Sequence, residues 1–332
     1  MTTQALERPL AGWLTAHTGD PGPWALKRLT GGNSNETCLL TGSDTSYVLR
    51  RPPSHVLSKS AHSVAREHRL LSALAPTAVR VPKPVALCED TGVPLAPFLV
   101  MEHVGNAVSI TDTMPYPQIE TVADEVVDAL AAVHTLDWRA AGLEGFGRPE
   151  NFLDRQVERW YRQWEGIARR PLSAMPKIAT WLDANKPQPS APALLHGDFH
   201  LDNCLFDAHE PRLKAVIDWE MATIGDPLLD LGLLLALWGG RGSAMPAVQG
   251  VSRAPGAPPR EHLLQRYEQQ VGRAIPQIRY YQCLALFKLA AIVEAAWSQY
   301  LTGELTSEYA AALEHDVPAL LDEALDTAGL AP

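Results

Sequence analysis

The chain has 332 residues, a length that suits two lobes or domains, and its apolar fraction of 46% is ample for a core. A formal charge of −10, with no Lys/Arg block to relieve it, argues against binding a phosphate backbone, so nucleic acid is not an expected partner. Cys38, Cys88, Cys204 and Cys283 show no C-x-x-C spacing and read as free buried thiols of a reducing compartment. Residues 1–9 are mixed and polar, without a basic-then-apolar leader, so the expectation is a cytoplasmic protein with no membrane partner.

In chain order, residues 29–40 read as strand, glycine turn and strand, because two glycines and two asparagines between apolar segments favour a hairpin with positive φ. Tyr47-Val48-Leu49-Arg50 is a strand ending in a cation. Alternation puts Val48 and Arg50 on one face and Arg51 on the other. Residues 61–74 have helical spacing, with Val64, Leu70, Leu71 and Leu74 as the apolar stripe and Glu67 on a largely polar face. Val81-Pro-Lys-Pro84 and residues 93–98 punctuate the next edge. Residues 97–102 then form a buried-type strand leading into His103-Val104-Gly105. A boundary near residue 104 divides the chain into 1–104 and 105–332.

Beyond it, Ile119, Val122, Val126, Leu130 and Val133 recur at helical spacing and predict a long amphipathic helix over 117–136; His134, near its end, is expected to be a packed or capping histidine. Further helices are expected over 149–164 and 178–185, the latter ended by the Pro/Ser linker 187–192. After His196 come two short strands, 204–207 and 213–217, joined by the polar segment 208–212. Residues 228–238 are strongly apolar, yet the uncharged run after Asp230 is only about ten residues against the roughly twenty a membrane span needs, so a buried helix is predicted. Asp226 and Asp230 flank its start, where acids cap exposed N–H groups. Residues 241–260 form a Gly/Pro/Ser excursion, and 261–330 read as helices, most apolar over 280–300.

The chemistry concentrates in His196-Gly-Asp198-Phe-His-Leu-Asp-Asn203 and the later Asp218-Trp-Glu220. Phosphoryl transfer to a hydroxyl needs a base near the acceptor proton and Mg²⁺ to neutralise phosphate charge, with little covalent work by the protein. In the pattern D-x-x-x-x-N the Asp accepts the hydroxyl proton and the Asn binds metal. Asp198 and Asn203 fit it, and the hairpin should bring Asp218 back as a second oxygen ligand of the same ion. A rival use is a Zn²⁺ cluster of His196, Asp198 and His200, which alternate along the chain.

These residues resemble the aminoglycoside phosphotransferase family of kinase-like enzymes, with its H-G-D-x-x-x-x-N loop and later I-D-[WF]-E. Tyr47-Val-Leu-Arg-Arg-Pro-Pro53, Arg66-Glu-His68, Val81-Pro-Lys-Pro84, Val100-Met-Glu102 and Gly225-Asp-Pro-Leu-Leu-Asp-Leu-Gly232 are similar, in order, to the kinase-like portion of acyl-CoA dehydrogenase fusion proteins. The resemblance implies an α+β, bilobal, protein-kinase-like fold: a small antiparallel-sheet amino-terminal lobe and a larger, mainly helical carboxy-terminal lobe. It also implies Mg²⁺, ATP or GTP as co-substrate, and transfer to a small-molecule hydroxyl acceptor.

On that reading Gly32, Asn33, Ser34 and Asn35 lie over the phosphates, and Val48 packs on the base. Arg50, or alternatively Arg51, takes the place of the kinase lysine, and Glu67 steadies Arg50. Met101, Glu102 and Val104 line the hinge. His196 and Asp230 support the loop of Asp198, and the 241–260 excursion is a candidate lid. Arg50 and Glu220 stand where protein kinases have Lys and Gly, so a nucleotide-binding pseudokinase or regulatory module remains an alternative. The acceptor is open among aminoglycosides, sugars, amino alcohols and hydroxyacyl thioesters, and oligomeric state is not readable.

Overall fold

A computed structural model describes residues 4–5, 8–29, 35–52, 63–110, 118–240, 250–304 and 308–331. The chain divides into two units, one comprising residues 1–107, 141–143 and 214–221, the other 108–140, 144–213 and 222–332.

The first unit is built on an antiparallel sheet. Its elements are β1 (Gln4–Ala5), α1 (Arg8–Thr18), β2 (Ala25–Arg28), β3 (Glu36–Thr41), β4 (Ser46–Arg51), α2 (Val64–Leu74), β5 (Pro84–Cys88) and β6 (Phe98–Glu102). The six strands run in the order β1-β2-β3-β4-β6-β5, every neighbouring pair antiparallel. Alternate residues Cys38, Leu40, Leu49, Phe98 and Val100 join Leu10 and Leu14 of α1 in one core, as the two-residue side-chain period requires. The predicted first strand ends at Arg28 and leaves Leu29 exposed, while the glycine turn itself, residues 30–34, lies outside the described residues. Helix α2 starts where Ser63 Oγ accepts the Arg66 N–H at 3.2 Å. The expectation that Glu67 sits on a polar face is corrected: it is buried with Leu70, Leu71 and Leu74.

The second unit is mainly helical. Along the chain follow β7 (Ala107–Ser109), α3 (Ile119–Thr135), α4 (Gln156–Ile167), α5 (Ala174–Ala184), β8 (Ala193–Leu195) and β9 (Cys204–Asp207); β10 (Leu213–Val216), next in the chain, falls almost wholly in the first unit. Then come β11 (Thr223–Gly225), α6 (Leu228–Leu237), α7 (Arg260–Val271), α8 (Ile278–Leu301) and α9 (Glu308–Ala328). The helix expected from 149 starts late, because Pro149 and Asn151, with φ of +51°, first turn the chain into a short 3-10 segment, Leu153–Arg155. The helix expected from 178 starts early, since Pro176 falls in its first turn, where a missing N–H costs nothing. The four cysteines are free and buried.

Helix α6 is buried at every position and packs on α8. At its carboxy end Arg260 donates to the carbonyls of Trp238 at 2.7 Å and Ala236 at 2.9 Å, and pairs with Glu323 of α9 at 2.6 Å. The 241–260 excursion is therefore tied down at its far end; its 241–249 part lies outside the described residues. Helix α8 is long and apolar enough, by length and composition, to cross a membrane, but 61% of its most apolar window is buried against the rest of the fold.

Gly232 sets the distance between α6 and α8: a Cβ there would lie 2.5 Å from the Tyr281 carbonyl oxygen and 2.6 Å from its carbon. Backbone cannot yield as a side-chain tip can. Gly232→Ala is expected to cost about 1–3 kcal/mol by overpacking, read as a lowered urea midpoint with far-UV dichroism retained.

Candidate active site

In the second unit β8 pairs with β11 in an antiparallel ribbon, Leu195 opposite Thr223. One strand of that ribbon feeds the 196–203 turn and the other feeds α6. Gly197 takes a φ of +87°, which only glycine adopts without strain, and the tight turn presents two successive N–H groups to α6. Asp230 accepts both, from His196 at 2.6 Å and from Gly197 at 3.0 Å. Its carboxylate is buried and would be costly there without these charge-assisted bonds.

The two acids expected to flank the helix start thus divide the work. Asp226 caps α6 through the Leu228 N–H at 3.1 Å, while Asp230 serves the turn. His134 is packed and buried, as a polar bridge: Tyr267 Oη lies 2.7 Å from Nδ1, and Nε2 is 3.5 Å from Asp230 Oδ2.

Asp198 follows, its side chain 44% exposed. Its own N–H bonds back to His196 Nδ1 at 3.3 Å, which keeps His196 buried beneath the turn. Burial would raise the Asp198 pKa, but the hydrogen bond and charge of His200, with Lys288 and His196 behind it, hold the carboxyl well below the usual range. Asn203 sends its Nδ2 to the Asp198 carbonyl at 2.8 Å, so the candidate base and the candidate metal ligand are fastened together by the amide's donor rather than by its Oδ1 acceptor. The Zn²⁺ alternative gains no support, since among the described residues no group of three or more His, Cys, Asp or Glu is arranged to hold a metal ion.

The first unit holds a second cluster. Arg50, buried at the end of β4, donates to Glu67 Oε1 at 2.9 Å and to Asp218 Oδ1 at 2.9 Å, and lies 3.6 Å from Glu220 Oε2. Burial opposes its charge, yet the three carboxylates outweigh it and raise its pKa. Glu67 is pushed up to about 7, chiefly by burial, against the pull of Arg50. Asp218 reaches Arg50 from a strained backbone, with a φ of +64° that a non-glycine residue seldom adopts. Asn35 is turned onto Glu220, Nδ2 to Oε2 at 3.2 Å.

Of the other predicted nucleotide residues, Val48 stands directly opposite Met101 across β4 and β6. The Glu102 N–H is already committed to the Lys83 carbonyl at 2.8 Å, and Val104 follows β6, half-buried. Gly32, Asn33 and Ser34 lie outside the described residues. The structure therefore gathers Arg50, Glu67, Asp218 and Asn35 in one unit, and His196, Asp198, Asn203 and Asp230 in the other.

A sequence model of the phosphotransferase enzyme family matches residues 25–281. The chain belongs to that family. It is 32% identical over 314 residues to mouse acyl-CoA dehydrogenase family member 10, a match that covers 91% of this chain but only 29% of that longer protein. It also superposes on a Ralstonia eutropha JMP134 protein assigned provisionally as an aminoglycoside phosphotransferase, with 31% identity, a TM-score of 0.85, and 98% and 99% of the two chains covered. A thermostable mutant of the aminoglycoside phosphotransferase APH(4)-Ia, solved as a ternary complex with AMP-PNP and hygromycin B, shares the fold at a TM-score of 0.61 and 16% identity over 95% and 98% of the two chains. The fold is thus the protein-kinase-like α+β fold of these phosphotransferases.

Sequence reading passed over Lys288, whose Nζ donates to the Gly197 carbonyl at 2.7 Å. A signal existed, since it is the one charged residue between Arg279 and Glu294 in an otherwise apolar run.

The raised pKa of Glu67 has a measurable sign. Folded Glu67 holds a proton that the unfolded chain has lost between the ordinary glutamate value of 4.5 and about 7, so its contribution to stability falls as pH rises through that window and levels off above it. Glu67→Gln removes this slope. The expected result is that wild-type stability declines relative to the variant between those limits, measured by urea denaturation at a series of pH values.

Proposed function

We propose that this phosphotransferase is a Mg²⁺-dependent small-molecule kinase that passes the γ-phosphate of ATP, or GTP, to a hydroxyl of a metabolite or antibiotic-like acceptor. The observation that carries the reading is the coupling of Asp198 to Asn203 in a turn held by Asp230. That arrangement keeps a carboxylate ionised and accessible beside an amide oxygen available to a hard cation. In this role Asp198 accepts the acceptor's O–H in a hydrogen bond. Its depressed pKa suits orienting the nucleophile and taking the proton late, as a loose transition state requires.

Asn203 Oδ1, and in the other unit the Asp218 carboxylate, are oxygen donors of the type Mg²⁺ takes, and each is a candidate to hold the ion with nucleotide phosphates. Mg²⁺, when bound, neutralises charge on the transferring phosphoryl group. Val48 and Met101 offer an apolar surface to the base, and Arg50, steadied by Glu67, is the cation for the phosphates. AMP-PNP and hygromycin B in the APH(4)-Ia complex support an ATP-like donor and a small hydroxylated acceptor.

A second reading, a nucleotide-binding module without transfer, is favoured by one observation. Arg50 is already engaged by three carboxylates, which compete with phosphate for its N–H groups. Two measurements separate the readings: thermal shift with ATP and Mg²⁺, and γ-phosphate transfer to a panel of aminoglycosides, sugars, amino alcohols and hydroxyacyl thioesters. Binding without transfer across the panel favours the module.

If the kinase reading holds, Asp198→Asn lowers kcat by about 10²- to 10⁴-fold while nucleotide affinity, followed by calorimetry with AMP-PNP, stays within a small factor of wild type. Undiminished turnover would remove Asp198 from the role.

A further inference from the structure

The turn that carries Asp198 is gripped from two sides by residues far apart in the chain. Asp230 of α6 takes the N–H groups of His196 and Gly197. Lys288 of α8 takes the carbonyl oxygen of Gly197 at 2.7 Å, the oxygen of the peptide unit that leads into Asp198. Lys288 is an expensive way to satisfy one carbonyl. Its helix is otherwise apolar from residue 283 to 293, and a half-buried ammonium there is worse for stability than a leucine unless its charge is used.

Burial lowers its pKa, and Asp198 and Asp230 pull it back. The ammonium also lies 5.6 Å from the centre of the buried Trp160 ring, which limits where it can go. A cation restrained in this way fixes the plane of the Gly197–Asp198 peptide, and that plane sets the direction of the Asp198 Cα–Cβ bond.

We infer that Lys288 is a positioning residue of the transfer reaction: by holding the Gly197 carbonyl against the pull of Asp230 on the preceding N–H groups, it aims the Asp198 carboxylate. The inference rests on the kinase reading above and adds to it a residue from the carboxy-terminal helices. A misdirected base loses rate without losing nucleotide, because the displaced atoms belong to the acceptor side of the reaction.

The test uses the full chain with MgATP and water as the acceptor, scoring phosphate release, beside Lys288→Met and Lys288→Arg. The expected result is a fall in kcat of about tenfold or more in K288M, KM for ATP within about threefold of wild type, and recovery of most of the rate in K288R, which restores a charged donor. Amide spectra of ¹⁵N-labelled protein supply an independent arm. The Gly197 and Asp198 resonances should move in K288M and return toward wild type in K288R. Unmoved resonances in a folded K288M, or an undiminished kcat, would overturn the inference, as would equal losses in kcat and ATP affinity that K288R fails to rescue. If K288M does not fold, K288R decides, and wild-type resonances with a rate lowered tenfold would count against the clamp. A wild-type chain that neither binds AMP-PNP nor releases phosphate sinks the kinase reading instead, and the spectra still judge whether Lys288 holds the turn.

Discussion

The carboxylate of Asp230 is the constraint on which the rest of the candidate site's geometry depends. It is buried on the first turn of α6 and offers its two oxygens to two consecutive N–H groups of the 196–198 turn. Withdrawing a carboxylate from water is costly, and leaving two buried N–H groups without an acceptor would be costly again, so the arrangement is strongly preferred once the chain has folded this far. From it follow the left-handed turn at Gly197, the exposure of Asp198 and the tie from Asn203 back to the Asp198 carbonyl.

The first unit solves a different electrostatic problem. One guanidinium, Arg50, faces the carboxylates of Glu67, Asp218 and Glu220, an excess of negative charge partly relieved by the raised pKa of Glu67. Asp198, in the other unit, sits among His200, Lys288 and His196 and is held ionised. The carboxylates therefore have separate characters set by their neighbours. One is kept charged and accessible, and another is poised near neutrality under a buried arginine.

Much of this was legible in the residues. The D-x-x-x-x-N spacing, the later Asp218 and the strand that carries Arg50 near its end are local patterns whose chemistry depends on short separations along the chain, and the apolar stripe of α3 and the unbroken apolar run of α6 are strong enough to show their type. What was missed was short or non-local. Strands β8 and β11 have three residues each, too few for an alternation to register, and they form only because each finds the other. Helix α1 buries just Leu10 and Leu14, a weak stripe. The pairing of Glu67 with Arg50 is legible in the sequence and is present at 2.9 Å, whereas the burial of Glu67 is not, because the spacing of apolar residues in α2 puts it on a largely polar face. Only the long-range meeting of α2 with Arg50 shows why it is buried. Lys288 reaches Gly197 of the turn across 91 residues and Tyr267 reaches His134 across 133, separations that periodicity cannot bridge.

The close seat of Gly232 on the backbone of Tyr281 has one more consequence. It seats the helix that bears Asp230 against the helix that bears Lys288, so the two side chains that grip the 196–198 turn from opposite sides come from one closely packed helix pair.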